Sequence, residues 1–298
     1  MSKTLLIHHA ANRGHGHPAN SLRSLQICLE AGARVVEVDV TPTSGGDFAL
    51  LHDGVLDNST NGMGSVFSAT AEQVCKLQYT RQGAVTNEKV GILSQAVSLI
   101  QKYTCLQELQ IDFKQHVPLT DAVLNDLLRV IKPVKERVRV TSIADWALRR
   151  LRVLDNDLLL GFDPLLYLDV EMEGERDEIN LPFRKNAYGY LDDHPLGSHR
   201  GETPADYLAA RAESLIAQSP PDIIWYINVR LLANALNDGF DWIAYLHKRG
   251  FQVDAWTLNP DQREQVILAR RLVEVGIDRI TTNDAPRLAI ALGDSVTL

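Results

Sequence analysis

A closed (β/α)8 barrel, an α/β fold, is what this sequence predicts, and three observations carry the prediction. About eight strand-like segments alternate with helical ones along 298 residues, the length one such barrel needs. The first strand is followed by no glycine-rich phosphate loop of the required spacing, which sets a doubly wound dinucleotide fold aside. Polar residues recur at the C-terminal ends of the strand-like segments, the end at which barrels of this type gather their active sites.

Residues 4–9 read as the first strand, apolar until His8-His9. A polar, glycine-containing loop follows. Asn20 or Ser21 caps a helix whose apolar positions Leu22, Leu25, Ile27, Cys28 and Leu29 have helical spacing. Gly32 ends it, and residues 35–40 form the second strand. Residues 48–53 make a further short apolar strand ending in His52-Asp53. A turn-rich piece, a short helix over 69–77 and a longer one over 93–103 come next. Residues 106–113 read as the third core strand, carrying Asp112 with Lys114 just beyond. Helices over 119–131, 145–154, 204–218, 231–248, 260–275 and 285–292 alternate with strands over 137–141, 158–162, 222–227, 252–257 and 279–282. Between 163 and 202 the pattern fails. That stretch is rich in Asp, Glu, Pro, Gly and Tyr, and reads as a long loop after the fifth strand. Because that loop leaves from the C-terminal face, its Tyr167, Tyr188, Tyr190, Arg184 and Lys185 are expected over the barrel mouth.

The chemistry begins at Val35-Val36-Glu37-Val38-Asp39-Val40. On a strand, residues i and i+2 share a face, so Glu37 and Asp39 project side by side from an apolar segment. Burying two unpaired carboxylates is costly, and a hard divalent cation such as Ca2+ or Mg2+ between them removes the cost. By itself the stretch also fits an edge strand with a solvated acidic face. His8 or His9, His52, Asp112, Lys114, Trp256 and Asn259 are the other candidates at strand ends. His15 and His17 lie in a polar loop and read as exposed.

With 30 basic and 38 acidic residues the formal net charge is −8, which argues against nucleic acid or an anionic membrane as partner. Three scattered cysteines, Cys28, Cys75 and Cys105, form no disulfide framework or zinc spacing and read as core filling in a reducing compartment. No signal-peptide pattern opens the chain and no apolar run approaches a membrane span, so the expected setting is the cytoplasm, without membrane insertion. The oligomeric state is left open, a homo-oligomer included.

In order, the polar motifs resemble those of the glycerophosphodiester phosphodiesterases. They stand as His9, Pro18-Ala19-Asn20-Ser21, Gly32-Ala33 running into Glu37-Val38-Asp39-Val40, and His52-Asp53. The resemblance continues through residues 56–64 and Ile111-Asp112-Phe113-Lys114, and ends with Ala255-Trp256-Thr257-Leu258-Asn259 and residues 276–283. It covers nearly the whole chain outside 163–202. It implies one barrel domain over residues 1–298 with a small insertion after the second strand, about 53–91. It implies a divalent metal, Ca2+ or Mg2+, on Glu37, Asp39 and Asp112. It also implies His9 and His52 as acid and base, Lys114 beside the phosphate, and a small-molecule phosphodiester as substrate. His9 is the aligned histidine because Ile7-His8-His9 matches the family's Ile-Ala-His.

The chain departs from the family at Ala10, where an arginine usually follows the histidine, at Ala19 in place of glutamate, and at Asp112 in place of glutamate. With Ala10 unable to contact phosphate, Arg13 in the lengthened loop is the expected substitute, since Gly14 and Gly16 let the backbone bend. Other readings of the same motifs are a phospholipase C-like or sphingomyelinase D-like lipid phosphodiesterase and a catalytically silent barrel that binds a phosphorylated ligand.

Overall fold

Eight parallel strands close on themselves in the computed structural model, which describes residues 3–14, 16–114, 119–168 and 203–298. The strands are β1 (Thr4–His8), β2 (Val35–Pro42), β3 (Glu108–Phe113), β4 (Val138–Ser142), β5 (Leu159–Phe162), β6 (Ile223–Asn228), β7 (Gln252–Leu258) and β8 (Arg279–Thr282). Each pairs with the next, and β1 pairs with both β8 and β2 to complete the ring. Nine helices cover the described outer surface. They are α1 (Leu22–Glu30), α2 (Leu93–Ile100), α3 (Asp121–Ile131), α4 (Asp145–Leu154), α5 (Pro204–Gln218), α6 (Val229–Asn237), α7 (Trp242–His247), α8 (Arg263–Glu274) and α9 (Ala285–Leu292).

The two-residue period of each strand sorts its side chains between two interiors. Val36, Val38 and Val40 of β2, and Leu109, Ile111 and Phe113 of β3, join the apolar layer between strands and helices. Their neighbours Glu37, Asp39, Glu108, Gln110 and Asp112 turn into the barrel. Deep inside, Glu108 lies between two guanidinium groups. Arg139 Nε reaches both its oxygens at 3.1 Å and Arg279 Nη1 reaches Oε1 at 2.6 Å. Pairing offsets the desolvation of these buried ions. Beside them Asp254 is fully buried and accepts from Thr281 Oγ1 at 2.9 Å.

The expected 231–248 helix is two helices. Asn237-Asp238-Gly239 breaks it, with Gly239 at φ +87°, and Asp241 caps the new start by accepting from Ala244 N. A glycine takes that conformation without a Cβ clash. The expected 260–275 helix starts only at Arg263. The expected 48–53 strand shrinks to Phe48–Ala49, antiparallel to the end of β2. The piece between it and α2 has a small core of its own, including Leu51, Leu56, Val66, Val74 and Tyr79. A hairpin over Gln78–Arg81 and Ala84–Lys89, absent from the expectation, folds there around Gln82 and Gly83, both at positive φ as a two-residue hairpin turn requires. Val296–Thr297 adds a last short strand beside β1.

Among the described residues no helix is long and apolar enough to cross a membrane. Cys28 is buried, its Sγ donating to Ala11 O, and burial pushes its thiol pKa up to about 12, as fits core filling. Of the loop after β5, residues 169–202 lie outside the described residues, and the expected contacts of Tyr188, Tyr190, Arg184 and Lys185 fall there. Tyr167 is described. Its hydroxyl donates to Asp145 Oδ1 at 2.5 Å, at the start of α4, and it is not on the cavity wall.

Candidate active site

Strand register builds the site. Asp39 of β2 stands opposite Asp112 of β3, and Glu37 opposite Gln110. Together with the two-residue spacing this brings Glu37, Asp39 and Asp112 together, one oxygen of each lying within 4.8 Å of the others. β2 is flanked on both sides, and Glu37 and Asp39 are each only 2% exposed, so the solvated edge-strand reading is overturned.

Lys114 tops the cluster, with Nζ 2.6 Å from Asp112 Oδ2 and 3.0 Å from Asp39 Oδ1. Asp39 Oδ2 accepts from Asn20 Nδ2 at 2.7 Å, while Asn20 Oδ1 accepts from the Asp39 amide at 2.9 Å. Burial raises the Asp39 carboxyl, but Lys114, then His9, His52 and the Asn20 bond, hold it below its usual range. Glu37 goes the other way. Burial first, then the charges of Asp39 and Asp112, push it well above the carboxylate range. Its Oε2 accepts from the Ala10 amide at 2.5 Å, and its Oε1 has no hydrogen-bond partner among the described residues. Burial lowers the Lys114 ammonium, but Asp112, Asp39 and Glu37 outweigh that and raise its pKa above the usual lysine value. An orphaned buried oxygen within an all-oxygen donor set fits a hard divalent cation.

Two histidines reach the same cavity, which has a volume of about 560 Å³. His9 follows β1 in a short 3₁₀ turn, and its Nδ1 lies 2.6 Å from Asn283 Oδ1. Asn283 Nδ2 in turn donates to Asn259 Oδ1 at 2.5 Å. The amide oxygen requires Nδ1–H on the neutral ring, which leaves Nε2 as the basic nitrogen. His52 Nδ1 lies 2.9 Å from Asp53 Oδ1, and Asn58 holds the second Asp53 oxygen at 3.0 Å. Burial raises Asp53, but these bonds outweigh it and keep the carboxyl below its usual range. Trp256 also lines the cavity, as do Gln110, Tyr226 and Asp163.

His8 does not face the cavity. It is buried, its Nδ1 3.3 Å from Asn12 O and its Nε2 3.4 Å from the Arg13 guanidinium. Arg13 therefore corrects an expectation. It is not on the cavity wall, because its side chain lies against His8 and its backbone bridges to Asp284 beyond β8. His17 is half-buried, with Nδ1 2.5 Å from Glu88 Oε1, where exposure was expected; His15 lies outside the described residues. Sequence reasoning missed Asn20 as the clamp on Asp39, Asp53 and Asn283 as the partners of the histidines, and Gln110 and Tyr226 on the cavity floor. Only Asp53 had a local signal, its adjacency to His52.

Comparison with known proteins converges on one family. The model of the glycerophosphoryl diester phosphodiesterase family matches residues 12–167. Glycerophosphodiester phosphodiesterase 1 of Homo sapiens is 26% identical over 262 residues, covering 84% of this chain and 71% of that protein. A glycerophosphodiester phosphodiesterase of Caldanaerobacter subterraneus is 29% identical over 169 residues, 55% of this chain and 67% of that protein. Among solved structures, a glycerophosphoryl diester phosphodiesterase from Silicibacter pomeroyi superposes with a TM-score of 0.71 at 19% identity, covering 99% of this chain and 95% of that one. An Oleispira antarctica phosphodiesterase in complex with the product sn-glycerol-3-phosphate does so with a TM-score of 0.67 at 17% identity, covering 97% of each chain.

Proposed function

The chain belongs to the glycerophosphoryl diester phosphodiesterase family, and we propose that it hydrolyses a glycerophosphodiester, or a close relative, to a phosphomonoester and an alcohol. The observation that carries this reading is the meeting of three carboxylates, one lysine and two oriented histidines in a single cavity at the C-terminal mouth of the barrel. The Oleispira antarctica enzyme's product complex supports a glycerophosphate portion in the substrate.

Glu37, Asp39 and Asp112 would hold a divalent cation, Ca2+ or Mg2+, which when bound supplies charge stabilisation to the phosphate's non-bridging oxygens. Lys114 adds a second positive charge beside the same oxygens. His9, its tautomer set by a neutral amide oxygen, takes the proton of the attacking water at Nε2. His52, its ring oriented by the Asp53 carboxylate at Nδ1, gives a proton to the leaving oxygen. The free thiols Cys28, Cys75 and Cys105 support work in a reducing compartment such as the cytoplasm.

The test is a screen of glycerophosphodiesters with the released alcohol identified, run with added Ca2+, added Mg2+ and exhaustive chelation. Hydrolysis of at least one substrate, dependent on the cation and abolished in His52→Ala, is expected. Full turnover after chelation would remove the metal from the reading. No turnover under any condition would leave a phosphate-binding barrel without catalysis.

A further inference from the structure

A second groove, of about 390 Å³, opens between the β1–α1 loop and the hairpin over Gln78–Arg81 and Ala84–Lys89. It meets the catalytic cavity at one residue, because His52 lines both. It also reaches the carboxylate cluster from behind, through Asn20, whose side chain holds Asp39 while the residue walls this groove. A phosphodiester seated at the Glu37–Asp39–Asp112 cluster has two arms. His52, proposed to protonate the leaving oxygen, is the residue the two spaces share.

The two spaces differ in charge. Glu37, Asp53, Asp112 and Asp163 line the catalytic cavity, whereas among the described residues no Asp or Glu lines the second groove, Glu88 standing behind its wall against His17. Its cation is Arg81. One guanidinium nitrogen, Nη1, donates to Gly16 O at 2.5 Å, and among the described residues no ion pair engages Arg81. Ser59 adds a hydroxyl oxygen with no hydrogen-bond partner among the described residues. A guanidinium with donors to spare, in a groove with no acidic side chain among its described lining residues, matches a carboxylate.

We infer that this groove is the subsite for the leaving alcohol and that Arg81 selects an alcohol bearing a carboxylate. The inference rests on the hydrolytic reading above and deepens it by naming which arm of the substrate is chosen and by what charge.

Two probes isolate the effect. Glycerophosphoserine and glycerophosphoethanolamine differ by one carboxylate on the alcohol. The quantity measured is the ratio of their kcat/KM values in the wild-type protein, Arg81→Gln and Gln82→Glu. Gln82 lines the same groove, and its substitution adds a negative charge without touching the Arg81–Gly16 contact. The wild type is expected to favour the serine ester. Both substitutions should lower the ratio, by roughly fivefold to tenfold for a partly solvated ion pair. An unchanged ratio in both variants, with the ethanolamine ester still hydrolysed, would overturn this inference and leave the hydrolytic reading standing. Failure of the wild type to hydrolyse any glycerophosphodiester would overturn both. If Arg81→Gln loses its fold by thermal melting, Gln82→Glu decides alone.

Discussion

Asn20→Gly isolates the clamp on Asp39. Asn20 sits at φ +60°, so alanine would add backbone strain, whereas glycine takes the same conformation freely. The change deletes two hydrogen bonds, one donated to Asp39 Oδ2 at 2.7 Å and one accepted from the Asp39 amide at 2.9 Å. A bond to a charged oxygen is worth about 1.5–3 kcal/mol and a neutral one about 1 kcal/mol. Some of this returns through the remaining Lys114 contact at 3.0 Å. A residual loss of about 1.4–2.8 kcal/mol corresponds to a 10–100-fold weaker cation affinity, the range typical when a ligand loses its supporting bond. Calorimetric titration of wild type and variant with Ca2+ and with Mg2+ reads it directly. The dissociation constant should rise by that factor, and kcat should recover to within a few-fold once the cation saturates. An unchanged dissociation constant would refute the clamp. A lost kcat that saturating cation fails to restore would move Asn20 from holding Asp39 to touching substrate.

His9→Ala and His52→Ala should each lower kcat on the order of 10²-fold or more, while His8→Ala, whose ring lies against Asn12 and Arg13, should keep kcat; steady-state assays decide. Arg13→Ala should leave kcat/KM within about twofold on every diester tested, because its side chain rests on His8 away from the cavity wall. Asp254→Asn should flatten one limb of the stability–pH profile. Burial raises the Asp254 pKa from 3.8 to about 7, so the folded state keeps a proton that the unfolded chain releases. The wild type therefore loses stability as pH climbs through that window, on the order of 4 kcal/mol from this group, and the loss persists above it. Urea unfolding at pH 5 and pH 8 should read about 2.6 kcal/mol of it, because pH 5 already lies inside the window. Parallel profiles for wild type and Asp254→Asn would show that Asp254 does not titrate there.

What the sequence made legible was whatever two-residue periodicity controls. Glu37 and Asp39 flanked by valines announced two inward carboxylates on a buried strand, and Asp112 on β3 fell into register with Asp39 without any further device. Partners separated by nearly the whole chain were invisible. His9 and Asn283 meet only because β1 and β8 are neighbours in the closed ring. The Arg13 expectation failed for the same reason. Flanking glycines said the loop could bend, but its direction was set by a backbone bridge to Asp284 beyond β8, remote in sequence. The break at Asn237-Asp238-Gly239 was locally encoded and was outweighed by apolar residues at helical spacing on both sides of it.

Charge explains why the inward positions divide into two levels. At the lower level Glu108 stands between Arg139 and Arg279, with Asp254 beside them pushed toward its protonated form, so that level carries no excess negative charge. At the upper level Glu37, Asp39 and Asp112 stand against Lys114 alone. Three ionised carboxylates and one ammonium leave two negative charges, with Glu37 and Asp39 almost fully buried, a cost these side chains do not meet among themselves. One way to reduce it is visible in Glu37, which burial and its neighbours push toward the protonated form. The other would be a doubly charged cation held by Glu37, Asp39 and Asp112, whose charge would offset the remainder. A singly charged ion would leave the level negative beneath an anionic substrate, in a chain whose formal net charge is −8. A cation of charge two would meet this excess better than one of charge one, and the lower cluster, with no excess negative charge, adds no competing site.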